Sequence, residues 1–234
     1  MIGVLVVFNE RDVIETAIRW LLESGHHVHL FDHGSTDGTG EIIRDRFPEV
    51  TVRTIDRKRV PFGAVWFKIS KWINRHAEHH KWVTWCAADE ILRPPGKGDL
   101  TEGDLRRIQK RRQVIRPRVR EFWASEDDDP DESDHVKRIR CYRWRDDLMA
   151  PRHWRIDLTG RMPYGLHRPD NQWKMGCKIS AGRWILDHYP VRSEVQGRRK
   201  VRLRPHQPLY KPYAKHPKRS LIKGSGVLPG RNNA

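Results

Sequence analysis

The chain has 234 residues, with 46 Lys and Arg against 30 Asp and Glu, and a net charge of +16. That length supports one sizeable core, and the 32% charged fraction implies a large wet surface. No apolar run reaches the length of a membrane-spanning helix. The three cysteines, Cys86, Cys141 and Cys177, show no paired spacing, which argues against a disulfide framework or a zinc site.

In chain order, Ile2 to Phe8 is a continuous aliphatic run without a basic flank. It predicts a strand covered on both faces and not a secretory leader. Asp12 to Ser24 has helical spacing through Val13, Ala17, Trp20 and Leu21, with Asp12 as its cap and Gly25 as its stop. His27 to Phe31 is the next strand. A helix is predicted over Thr36 to Phe47, ended by Pro48. Val50 to Ile55 alternates as a third strand, Ala64 to His79 returns to helical spacing, and Trp82 to Cys86 is a short aromatic and β-branched strand. This alternation predicts an α/β fold, a mostly parallel sheet with helices on both faces.

Beyond Pro94 the pattern changes. Leu100 to Arg112 reads as a basic helix, while Val114 to Trp123 and Val136 to Trp144 read as strands flanking an acidic loop. Glu121 to Asp134 carries eight acidic residues and no basic one, and its stretch from Glu126 is expected to act as a mobile lid. Trp184 to Tyr189 is a last strand. These later strands suit an antiparallel C-terminal extension. From Arg192 onward there are twelve Lys and Arg against one Glu, a balance of +11. The expected organisation is one domain over residues 1–205 and a basic, Pro-rich, flexible tail over 206–234.

Ligands on parallel sheets bind beyond the carboxyl ends of the strands. Three polar clusters fall there: Phe8-Asn9-Glu10, Asp32-His33-Gly34-Ser35-Thr36-Asp37-Gly38-Thr39 and Ala88-Asp89-Glu90. A carboxylate at Asp32 suits a base N–H or a ribose hydroxyl. Ser35 and Asp37 lie at a helix entry, where simple capping is the ordinary alternative. Asp89 and Glu90 offer oxygen to a hard divalent cation, Mn²⁺ or Mg²⁺, which would bridge to a diphosphate. His188, near the end of the last strand, is a candidate ligand of the same metal, with His167 as a second. Arg192, Arg198, Arg199 and Lys200 are cations able to close over a diphosphate, and Lys68 and Lys71 are weaker candidates of the same kind.

The three clusters resemble the family 2 glycosyltransferases of the GT-A fold, in particular a small bacterial branch whose metal motif ends in Asp-Glu. His188-Tyr189-Pro190-Val191-Arg192-Ser193, with Gln196 and Lys200, is similar to the C-terminal signature of that branch. The resemblance spans about residues 2 to 203. It implies metal-dependent, inverting transfer of a sugar from a nucleotide-sugar, with a UDP-sugar favoured, to a saccharide or lipid-linked acceptor. It implies that Phe8, Asn9 and Glu10 line the base and ribose pocket, that Asp32 holds the base, that Asp37 supports that loop, and that Asp89 binds the metal. Two departures stand out. Ala87 replaces the first Asp of the family's metal motif, and no Glu-Asp pair supplies the catalytic base. Asp127, Asp146, Asp147 and Asp157 are the carboxylates open to that role.

Two other classes compete with this reading. One is a nucleotide-sugar-binding protein without catalysis, on the strength of Ala87. The other is a nucleic-acid-binding protein, on the strength of the basic tail, although no recognition-helix or zinc signature accompanies it. The expected location is the cytoplasm, with a peripheral position on an anionic membrane surface as the companion expectation for the tail.

Overall fold

Six consecutive buried residues, Ile2–Val7, form the strand β1 on which the first part of the molecule is built. The computed structural model describes residues 1–76, 82–95, 114–125, 127–129, 131–145, 153–155, 179–203 and 226–227. The chain divides into two compact units. One comprises Met1–Arg118 with Asp146–Leu186, and the other Val119–Arg145 with Asp187–Ala234.

In the first unit, β1 pairs in parallel with β2 (His27–Asp32) on one side and β4 (Trp82–Ala87) on the other. Strand β3 (Thr51–Thr54) adds in parallel to β2. The four-stranded parallel block therefore runs β3-β2-β1-β4. Strand β5 (Glu90–Arg93) follows β4 closely. Strand β8 (His153–Arg155) joins β4 antiparallel, and β6 (Val114–Trp123) begins in this unit, pairing Val114 and Ile115 with β8. The fold is α/β, as the alternation of strand and helix signals predicts.

Period-two alternation gives β1 two different faces. Ile2, Val4 and Val6 share a core with Phe31, Ile55, Val83 and Trp85, closed by Val65, Ile69 and Ile73 of the helix α3 (Phe62–His76). Those three helical residues sit at i, i+4 and i+8, a single apolar stripe. Each such buried side chain contributes roughly 1.5–3 kcal/mol of burial. The opposite face receives α1 (Ile14–Glu23), and α2 (Thr39–Arg46) packs beside α1. A side chain at Gly3 would meet Leu21 at 3.1 Å, so glycine lets α1 approach the sheet. Right-handed crossovers explain the division. The connections from β1 to β2 and from β2 to β3 step outward on one face, and the connection from β3 to β4 returns across the other.

Helix boundaries differ from the periodicity by a few residues. Val13, not Asp12, occupies the start of α1, and no side chain caps it. The Glu10 carbonyl instead accepts the N–H groups of Val13 and Ile14. The far end follows expectation. Gly25 has φ 77, its N–H reaches the Leu22 carbonyl, and His26 N–H reaches that of Leu21. That is a left-handed glycine stop. Helix α2 starts at Thr39 and not at Thr36, because residues 33–38 form a hydrogen-bonded turn.

In the second unit, β6 continues from Val119 and pairs antiparallel with β7 (Cys141–Arg145). Strand β10 (Gly226–Val227) pairs antiparallel with β7 as well. Strand β9 (Ile179–Val191) ends in this unit, followed by α5 (Glu194–Leu203). The predicted strand over Val136 to Trp144 is corrected. Residues His135–Arg138 form a single helical turn, α4, because the Asp134 side chain accepts the Val136 N–H as an N-cap. Only Cys141–Arg145 is extended. The basic helix expected over Leu100 to Arg112, the candidates His167, Asp146, Asp147 and Asp157, and all of the 206–234 segment except Gly226 and Val227 lie outside the described residues.

Candidate functional site

Because β2, β1 and β4 are parallel neighbours, the loops after them share one edge of the first unit. Phe8 to Arg11 follows β1, His33 to Gly38 follows β2, and Ala88-Asp89 follows β4. The structure thus gathers all three sequence clusters at the carboxyl edge.

The first two loops are fastened to each other. Asn9 N–H donates to Ser35 Oγ at 2.9 Å, and Asn9 Oδ1 accepts the Thr36 N–H at 2.6 Å. Glu10 N–H donates to Thr39 Oγ1 at 3.1 Å, and Arg11 N–H to Asp37 Oδ2 at 3.3 Å. Asn9 has φ 58, the left-handed region that Asn tolerates better than most residues. That conformation accompanies a backbone N–H and a side-chain oxygen that both engage the second loop.

Asp32 and Asp37 support this fastening. Asp32 is buried, and its Oδ1 accepts both the N–H and the hydroxyl of Ser35, at 2.9 and 2.7 Å. Asp37 Oδ1 accepts the N–H and hydroxyl of Thr39. Ser35 is therefore not a helix cap but a relay between Asp32 and Asn9. Thr39, which the sequence did not single out, relays between Asp37 and Glu10. Gly34 at φ 77 makes the tight turn that any other residue would strain.

A third loop, after β3, adds residues that the motif reading missed. The Ile55 N–H reaches the Asp32 carbonyl at 2.7 Å, and His33 Nε2 donates to the Val60 carbonyl at 2.7 Å. His33 also meets the Phe8 ring edge-on, with centroids 6.1 Å apart. Over Phe8 lies Arg57, its guanidinium carbon 4.1 Å from the ring centroid, a close cation–π contact. The available signal was the Arg57-Lys58-Arg59 run just past a strand end.

Asp89 and Glu90 are each 7% exposed at the tight connection from β4 to β5. Glu90 Oε2 accepts the Ala87 N–H at 3.1 Å, closing the turn that carries Asp89. Among the described residues no three His, Cys, Asp or Glu gather into a metal cluster. Asp89 is the carboxylate at this edge that could hold a hard cation, with phosphate oxygens and water as its other ligands.

Lys68 and Lys71 lie exposed on α3 of the first unit, and the other described candidates belong to the second unit. His188 Nδ1 lies 3.9 Å from Oε1 of the fully buried Glu121. Arg143 donates twice to Glu121 Oε2, at 2.8 and 2.6 Å, Arg145 Nη1 lies 3.2 Å from Oε1, and the Trp123 indole N–H adds a longer contact at 3.3 Å. Asp187, equally buried, takes a two-pronged contact from Arg120 at 2.7 and 2.9 Å. Arg192, expected at a diphosphate, is 1% exposed, and its Nη1 donates to the Tyr189 carbonyl. Its backbone N–H meets the Gln196 side chain. Arg198 pairs with Glu194 along α5, and Lys200 lies on the same helix. Of the acidic stretch, Asp127 is exposed. Burial pushes the Asp128 carboxyl above its ordinary range, against the hydrogen bonds it receives from Ser125.

No protein-family model matches the chain, and no curated protein matches it. Among solved structures, it is similar to one from Bacillus anthracis described as a glucose-1-phosphate thymidylyltransferase in complex with a sucrose. That match has 10% identity and TM-score 0.36, and covers 53% of this chain and 56% of that one. A nucleotidyl transferase from Methanothermobacter thermautotrophicus matches at 15% identity and TM-score 0.34, over 80% of this chain and 87% of that one. Likeness this slight carries no argument about activity, and the α/β assignment rests on the strand order itself.

Proposed function

We propose that the chain is a glycosyltransferase that moves a sugar from a nucleotide-diphosphate sugar, with UDP favoured, to an acceptor hydroxyl. One observation carries the reading: Phe8-Asn9-Glu10, Asp32 to Asp37 and Ala88-Asp89-Glu90 meet at one carboxyl edge of adjacent parallel strands. Phe8 and the two fastened loops line the base and ribose side, and Asp32 holds the base. Asp89 would hold a divalent cation, Mn²⁺ or Mg²⁺, whose chemistry is to neutralise charge on the departing diphosphate. Arg57 adds a fixed cation at the same edge. Inversion asks one carboxylate to take the proton of the attacking hydroxyl. The proposed acceptor is a saccharide or lipid-linked one, and the proposed location is the cytoplasm.

The test is transfer and donor hydrolysis with Mn²⁺, alongside thermal shift in a panel of nucleotide-sugars. Ligand binding to the native state raises the melting temperature by mass action. The expected result is a shift with one donor class and loss of turnover in Asp89→Ala at unchanged fold. Full turnover in Asp89→Ala would sink the metal role. No shift with any nucleotide-sugar would sink the reading itself.

A further inference from the structure

The two helical faces of the first unit differ in charge. On one face, α1 and α2 carry four acids and three arginines. Glu15 pairs with Arg19 and Arg46, and Glu41 with Arg44. The described residues of the other side are predominantly basic. Between Arg53 and His76 the chain has seven Lys and Arg and a single acid, Asp56. All seven are exposed. Arg59 pairs with Asp56, and Arg53 stacks over Trp72.

Helix α3 has no acidic residue at all. Its buried stripe is Val65, Ile69 and Ile73. Opposite that stripe lie Lys68, Lys71 and Arg75, exposed, with Phe67 beside them at 50% exposure. Spacings of i, i+3 and i+4 bring the four onto one arc of the helix. No other described helix presents a large aromatic to solvent.

We infer that the outer face of α3 is the surface by which the protein docks on an anionic lipid bilayer. Charge complementarity argues for it, since three exposed cations with no ion-pair partner among the described residues suit an anionic headgroup layer. The exposed Phe67 ring decides between anionic partners. An aromatic flanked by lysine stems seats at the headgroup–acyl boundary while the ammonium groups stay in the headgroups. Duplex nucleic acid, whose bases are already stacked on one another, offers that ring no apolar seat. The loop leading into α3 runs from the carboxyl edge and carries Arg57 and Lys58, so docking here holds that edge next to the membrane surface. The inference does not depend on the nucleotide-sugar reading.

The experiment is sedimentation of the full chain with phosphatidylglycerol-containing vesicles, and with neutral phosphatidylcholine vesicles as reference. Each Lys or Arg near an anionic surface contributes about 1 kcal/mol, so the triple variant Lys68→Gln, Lys71→Gln, Arg75→Gln is expected to bind about a hundredfold more weakly. Neutralising Lys211, Lys215 and Lys218 in the tail is expected to cost much less. A helix variant that binds like the parent, or a tail variant that accounts for the whole loss, overturns the inference. So does a helix variant that loses duplex DNA binding while keeping vesicle binding. Should the triple variant misfold, acetylation footprinting of the unaltered chain replaces it. Lys68 and Lys71 are expected to be protected by anionic vesicles and not by neutral ones. Equal labelling in both overturns the inference.

Discussion

Buried or half-buried carboxylates are handled in two ways in this molecule. At the carboxyl edge of the first unit, Asp32 and Asp37 accept hydrogen bonds from backbone N–H groups and from the hydroxyls of Ser35 and Thr39. In the second unit, Glu121 and Asp187 are met by arginines. Neutral donors leave the negative charge in place while fixing loop shape. Guanidinium partners cancel the charge and fix strands from distant parts of the chain. The first arrangement suits a ligand edge, and the second suits structure.

The largest expected effect comes from breaking a charge pair. Arg120→Ala strips the paired guanidinium from an Asp187 side chain that is 1% exposed, and is expected to cost about 3 kcal/mol in urea unfolding. Replacing both residues with leucine is expected to recover most of that loss. If the double variant is no more stable than the single, the pair is not acting through the buried charge.

Hydroxyl loss at the edge should cost less. Thr39→Val removes the acceptor of the Glu10 N–H and a donor to Asp37, for roughly 1–2 kcal/mol, while Thr39→Ser is expected to restore both bonds. Thermal melting of the two variants checks it. Equal melting points would show that the fastening contributes nothing to stability.

Asp32→Asn separates shape from charge. Both Ser35 contacts fall on Oδ1, which an amide oxygen can keep. Stability should stay within about 0.5 kcal/mol, as for substitutions that leave the fold's contacts intact. Donor affinity by calorimetry should fall. An unchanged affinity removes Asp32 from base recognition.

The smallest effect concerns Asp128. Burial raises its folded-state pKa, so the folded chain binds that proton more tightly than the unfolded chain does. The stability it contributes is present at low pH and is lost as pH rises from the ordinary carboxylate range through the raised value. Asp128→Asn keeps hydrogen-bonding partners for Ser125 and should show a flatter profile over that window. Urea unfolding of both proteins at several pH values measures the difference, and parallel profiles would contradict the assignment.

Much of the first unit was readable from sequence. The aliphatic run at Ile2, the helical spacing through Val65, Ile69, Trp72 and Ile73, and the glycine stop at Gly25 are local signals, set by side-chain period and backbone freedom. The three clusters at strand ends were readable for the same reason, since parallel order puts strand ends on one edge. The roles within them were less so. Ser35 looked like a cap, yet it joins Asp32 to Asn9 across a separation of 26 residues. Arg57 carried no motif, and its place over Phe8 depends on how the loop after β3 folds back.

The sequence by itself determined the parallel α/β block, its helices and the residues that crowd its carboxyl edge, because periodicity and turn chemistry act over a few residues. The tertiary structure alone decided which partners the buried polar groups of the second unit find. Asp187 finds Arg120 from 67 residues away, Glu121 finds Arg143 from 22, and a buried arginine at position 192 serves a carbonyl. Burial and pairing over such distances follow from packing, and no local pattern encodes them.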